Sequence, residues 1–169
     1  MKFMKINNFL KVMMAAVAIV IGVCSCDSDD DDSAVAVADE VVGSYTGEET
    51  IVIMGDPEDD TATFKFVKSS DSSIDMIIPQ SGESMMVIPA LTVKNIPLKK
   101  YNNGASGTLD SFTGTVTNAK GEEKTFTVSK LMVVFDTNPK GKAVVATYVL
   151  KYGSMPFEMV TTFNGSKDK

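Results

Sequence analysis

The chain contains no histidine, no tryptophan and no arginine; its 16 basic residues are all lysine. Without histidine it lacks the commonest general base near neutral pH and the commonest transition-metal ligand. Without arginine it lacks the planar fork that grips phosphate or carboxylate bidentately. Cysteine is almost absent as well. Cys24 and Cys26 are the only two, and their spacing is not the C-x-x-C of a redox pair. Basic charge is outweighed, 16 lysines against 22 acids for a net −6, which argues against a nucleic-acid partner because phosphates call for a basic surface. No stretch matches a nucleophile elbow, a zinc set or a phosphate loop. The expectation is a protein that is not an enzyme and holds no metal and no cofactor.

What is present begins with an address. Residues 1–11 carry Lys2, Lys5 and Lys11 and no acid, and residues 12–23 form an uncharged apolar run that stops at Cys24-Ser25-Cys26. A basic head, a short apolar body and small residues near a cut site make a secretory signal. The run is shorter than the roughly 20 residues needed to cross a bilayer. The cysteine context resembles that of bacterial lipoprotein signals, in which a small residue immediately precedes the cysteine that is acylated. Ser25 before Cys26 meets that pattern better than Val23 before Cys24, so Cys26 is the expected lipidation site and residues 1–25 the expected signal peptide. Each buried methylene of an acyl chain contributes about 0.8 kcal/mol, so a multiply acylated Cys26 would hold the chain on a membrane.

Asp27 and the run Asp29, Asp30, Asp31, Asp32 follow at once. They lack the alternating ligands, turn glycine and distal glutamate of a calcium loop, and a block of like charges stays extended and solvated. Residues 26–40 are therefore read as an acidic tether, with 33–39 its end or a first edge strand. A serine followed by acids after a lipidated cysteine also resembles a signal for export to the outer cell surface. That implies an outer-membrane lipid anchor exposed to the outside. Beyond residue 25 there are 13 lysines against 22 acids, and the length suits one domain, placed at residues 41–165 with a polar tail at 166–169.

Within that domain the apolar period is two, which makes strands. Strand-like stretches run over 44–54, 61–68, 74–78, 85–100, 107–117, 123–136, 142–152 and 156–164, separated by turn clusters such as Gly55-Asp56-Pro57-Glu58, Asn102-Asn103-Gly104 and Gly153-Ser154. Pro89 and Pro97 bend the fourth stretch or put it at an edge, since proline cannot donate in a ladder. On the last hairpin Ala146, Tyr148, Leu150 and Tyr152 share one face, and Phe157, Met159, Thr161 and Phe163 another. Eight such strands predict an all-β fold, either a closed antiparallel barrel or a β-sandwich.

Three stretches resemble a known family. Gly43–Gly55 (GSYTGEETIVIMG), Val87–Leu98 (VIPALTVKNIPL) and Ala146–Gly165 (ATYVLKYGSMPFEMVTTFNG) look like the first strand, middle segment and terminal hairpin of bacterial calycin-like lipoprotein domains. The resemblance implies an eight-stranded antiparallel, lipocalin-like barrel, and brings no catalytic residue with it. True lipocalins carry Gly-x-Trp near the first strand, where this chain has Gly43-Ser44-Tyr45.

Two functions are expected from these features. One is a membrane-anchored carrier of a small apolar ligand, lined by Tyr148, Tyr152, Phe64, Phe66, Phe157 and Met159, since pockets combine rings with a few polar tips. The other is a surface adaptor or structural lipoprotein whose partner is a protein. An interior cavity favours the first; a filled core with an outward apolar patch favours the second. Glu48 and Glu49 are adjacent and point to opposite faces of a strand, so they form no acid–base pair of their own.

Overall fold

The alternation written into residues 43–167 is realised in the computed structural model as strands that turn their main apolar faces inward. The structure describes residues 36–82, 87–138 and 142–169; Cys26, the expected signal peptide and the aspartate run lie outside the described residues. The eight strands are β1 (Gly43–Ile53), β2 (Asp56–Ser70), β3 (Ser73–Ile78), β4 (Leu91–Tyr101), β5 (Gly104–Thr117), β6 (Glu123–Asp136), β7 (Ala143–Tyr152) and β8 (Met159–Lys167). Each pairs antiparallel with the next, and β1 closes on β8 from Tyr45↔Lys167 to Ile53↔Met159. The architecture is the closed barrel rather than the sandwich. Closure satisfies the first and last strands together and removes two edges that would otherwise seek partners.

The closing seam depends on glycine. Gly47 on β1 faces Gly165 on β8, and a Cβ at Gly47 would lie 2.0 Å from the Asn164 carbonyl oxygen. No larger residue fits without parting the strands.

A short helix, α1 (Val37–Val41), precedes β1. The sequence reading placed residues 37–40 in the tether, or in an edge strand. They coil instead because Ala38 and Val41, three apart on one helix face, are both fully buried. Asp39 pairs with Lys68 and Glu40 with Lys100, while the Lys142 and Lys167 ammonium groups donate to the Glu40 and Val42 carbonyls. The Tyr45 hydroxyl donates to the Val41 carbonyl at 2.9 Å, and its burial pushes its pKa to about 12. These contacts stitch α1 to the barrel at the end where the β2–β3, β4–β5 and β6–β7 connections lie.

Several boundaries differ from the sequence reading for local reasons. The first turn is Met54-Gly55 alone, with φ of 53° and 97°, so Asp56, Pro57 and Glu58 belong to β2 and pair with β1. β4 starts at Leu91, leaving Pro89 outside the ladder. β8 runs on to Lys167, taking in residues read as tail. β6 is one continuous strand, Glu123–Asp136. Lys130 sits at φ 53° and its ladder with β7 slips there, so the buried set changes from Phe126 and Val128 to Leu131, Val133 and Phe135. One bulged residue flips every side chain beyond it to the other face.

The interior is packed with rings. Near α1, Phe66 meets Tyr45 and Phe135 edge-on, at centroid distances of 5.5 and 4.9 Å. Midway, Phe64 and Phe163 stack at 4.1 Å. Outward positions are largely polar: Ser44, Thr46, Glu48 and Thr50 on β1, Thr61, Thr63 and Lys65 on β2. That polarity is the reverse of a membrane-spanning barrel, which shows the bilayer an apolar band.

Candidate functional site

β1 carries Tyr45, Gly47, Glu49 and Ile51 on its inward face, and so brings a carboxyl into the barrel. Glu49 is only 5% exposed. Its register neighbours are Asp60 on β2 and Phe163 on β8. Tyr148 on β7 lies within reach of Glu49 and of Thr161, its register partner on β8. Burial, aided by the nearby Asp60 charge, pushes the Glu49 carboxyl up to about 7 against an ordinary 4.5, with the Tyr148 hydrogen bond opposing. Burial also raises the Tyr148 hydroxyl well above its ordinary range, and the Glu49 charge adds to this. The trio can hold or release one proton near neutrality. Sequence reasoning treated Glu49 only as the neighbour of Glu48. The signal that it points inward was its even spacing from Tyr45.

The residues expected to line a ligand pocket fall into two groups. Phe64, Phe66, Tyr148, Tyr152 and Met159 are all buried, with Phe64 at 0% exposure, and Phe64 is spoken for by Phe163 and Tyr148. Phe157 lies before β8 and is half-buried against the core. The Tyr152 hydroxyl is buried without a hydrogen-bond partner among the described residues. The structure thus brings these side chains into one core whose members pack on each other.

The concavity of note lies elsewhere, where β4 and β5 part. Their ladder runs only from Leu98↔Gly107 to Tyr101↔Gly104. It ends at Pro97, which has no N–H to give, and beyond it Asn95 sits in a bulge at φ 56°, its N–H held by the Asp75 carboxylate at 2.8 Å. The diverging strands leave a cleft of about 360 Å³ lined by Ala90, Thr92, Lys94, Phe112, Gly114, Thr115, Val116 and Phe126.

A third feature is an outward apolar face. Val52, Val160 and Val149 stand in register across β1, β8 and β7, with Val160 48% exposed. Val145 and Val134 pair beside them on β7 and β6, next to the 42% exposed Met132.

Comparison with known proteins adds the architecture's precedent. The chain superposes on the crystal structure of a candidate outer membrane protein of Bacteroides fragilis with a TM-score of 0.54. The likeness is one of fold. Identity is 13%, and the match covers 79% of this chain but spans about half (53%) of that one. No family model matches the chain, and no curated protein does.

Proposed function

We propose that this chain is a lipoprotein of the cell envelope. In this reading Cys26 is acylated, the anchor sits in the outer membrane with the domain exposed at the cell surface, and the barrel works by docking a protein on its outside. The observation that carries the docking role is the filled interior. A carrier of an apolar molecule needs an apolar cavity, and here stacked Phe64 and Phe163 occupy the middle of the barrel. The outward valine row supports the same reading, because contiguous exposed apolar surface marks interaction sites. No catalytic step belongs to it. Glu49 and Tyr148 face the barrel interior.

The experiment has two arms. Metabolic labelling with palmitate, followed by membrane fractionation, is expected to find label and chain together, and to lose both for Cys26→Ala. Photo-crosslinking from position 160 in cells is expected to trap a defined protein partner, and Val160→Lys to lose it. A chain that stays membrane-bound without Cys26 overturns the anchor; a crosslink pattern indifferent to Val160→Lys overturns the docking face.

A second reading, a small amphiphile held at the end of the barrel opposite α1, rests on the unpartnered Tyr152 hydroxyl and the Glu49–Tyr148–Thr161 trio. Native mass spectrometry of the purified protein separates the two. A stoichiometric small molecule that is lost in Tyr148→Ala would put the function inside.

A further inference from the structure

The barrel is closed in topology but not along its whole height. Three strand edges have no ladder among the described residues, two of them at the β4–β5 seam opposite the β1–β8 closure. β2 meets β3 only from Lys65 onward, leaving residues 56–64 with one free edge. β4 and β5 part above Leu98 and Gly107, leaving 91–97 and 108–117 with free edges that flank the cleft.

These edges are treated very differently by the sequence. The free stretch of β2 carries Asp56, Pro57, Glu58, Asp59 and Asp60, the charges and proline with which proteins block unwanted strand pairing. The free stretch of β5, TLDSFTGTVT, carries one charge, Asp110, in ten residues and is otherwise rich in threonine. It is long, of good β-propensity, and held in place by its ladder with β6 from Leu109↔Leu131 to Thr117↔Glu123. An edge left unguarded in a barrel that guards another of its free edges is an edge kept for use.

We infer that the β4–β5 seam is a docking slot for an extended, acidic strand of another protein, which adds to the free edge of β5. This rests on the reading that the barrel works through a protein partner and names where and how that partner engages. Main-chain pairing along β5 supplies the affinity, and alternate side chains of the guest supply specificity, as in other strand additions. Half-buried Phe112 and Val116 and buried Phe126 receive the guest's apolar side chains. The one charged residue lining the cleft is Lys94, which is exposed. That lone ammonium in the slot pairs with a carboxylate on the guest.

The test uses the full-length protein in detergent micelles and three fluorescein-labelled ten-residue peptides. The first alternates threonine and valine with two glutamates; the second replaces these by lysines; the third is the first with every second backbone amide N-methylated. Anisotropy is expected to show saturable binding of the first only. Hydrogen exchange is expected to slow across 108–117 when it binds. Lys94→Glu, a substitution at an exposed side chain, is expected to weaken binding about fivefold to tenfold, with the circular dichroism unchanged. Three outcomes overturn the inference: equal binding of the N-methylated peptide, no slowing of exchange over 108–117, or indifference to Lys94→Glu. A doubled mass by light scattering, with 108–117 protected in the absence of peptide, also overturns it in favour of a second copy. Crosslinks from the valine row to a partner, with 108–117 still exchanging freely, sink the slot while leaving the partner-docking function standing.

Discussion

Replacing Glu49 by glutamine tests whether a carboxyl really sits inside the barrel. In the fold this carboxyl titrates at about 7, against an ordinary 4.5, because burial disfavours its charged form and Asp60 adds repulsion. A carboxyl pKa raised on folding means that the protonated form favours the fold. That stabilisation is complete below about pH 4.5 and is lost as pH rises through about 7. At 1.36 kcal/mol for each pH unit between the two values, it amounts to about 3 kcal/mol. Glutamine keeps an oxygen to accept from Tyr148 but cannot ionise. Urea unfolding followed by far-ultraviolet circular dichroism should therefore find the variant close to the parent at about pH 4.5. At about pH 8 it should be more stable by about 3 kcal/mol, which shifts the midpoint by roughly 1.5 M for an m-value near 2 kcal/mol/M. Asp60→Asn should recover part of that gain by lowering the Glu49 pKa. Comparing parent and variant cancels the other carboxylates, which titrate in both. If the difference in midpoint is the same at both pH values, Glu49 is not ionising in a buried site and the reasoning fails.

Three further outcomes are expected. Tyr152→Phe removes a buried hydroxyl that lacks a partner, so it should raise unfolding stability by about 1 kcal/mol; a loss of that size would mean the hydroxyl is satisfied. Gly47→Ala drives a methyl into the β8 backbone, 2.0 Å from the Asn164 oxygen, and should cost about 3 kcal/mol or more, read as a lowered thermal midpoint with faster amide exchange along β1 and β8. Met54→Asn places a residue that tolerates φ near 53° in the exposed first hairpin turn. It should add about 0.5–1 kcal/mol, and unchanged urea unfolding would show that the turn is not left-handed.

The fold was legible because a strand's two faces are a local property. Phe64 and Phe66 alternate with Thr63 and Lys65 whatever they pair with, and Leu150 and Tyr152 flank Lys151 in the same way. Register is not local. The flip at Lys130 moves the buried set of β6 by one residue, and nothing in residues 123–136 announces it before the ladder with β7 is seen. Glu49 shared the parity of Tyr45, yet an acid on an apolar face reads as a strand end until closure with β8 places it beside Phe163. The helix at 37–41 escaped notice because one buried turn, with Ala38 and Val41 inward, is too short to show a stripe. Its reason to form lies in Lys68, Lys100 and Lys142, far along the chain.

The sequence by itself determined the strands, their number and the inward faces of β2, β7 and β8. Its lack of histidine and arginine also set bounds on the chemistry, because composition and period two need no partner to be read. Only the tertiary structure decided that the interior is filled, that Glu49 is buried where its carboxyl pKa is pushed up, and that β4 and β5 part to leave an edge. Each of these depends on which distant residues meet: Phe64 with Phe163, Glu49 with Tyr148, and Pro97 at the point where a ladder must stop.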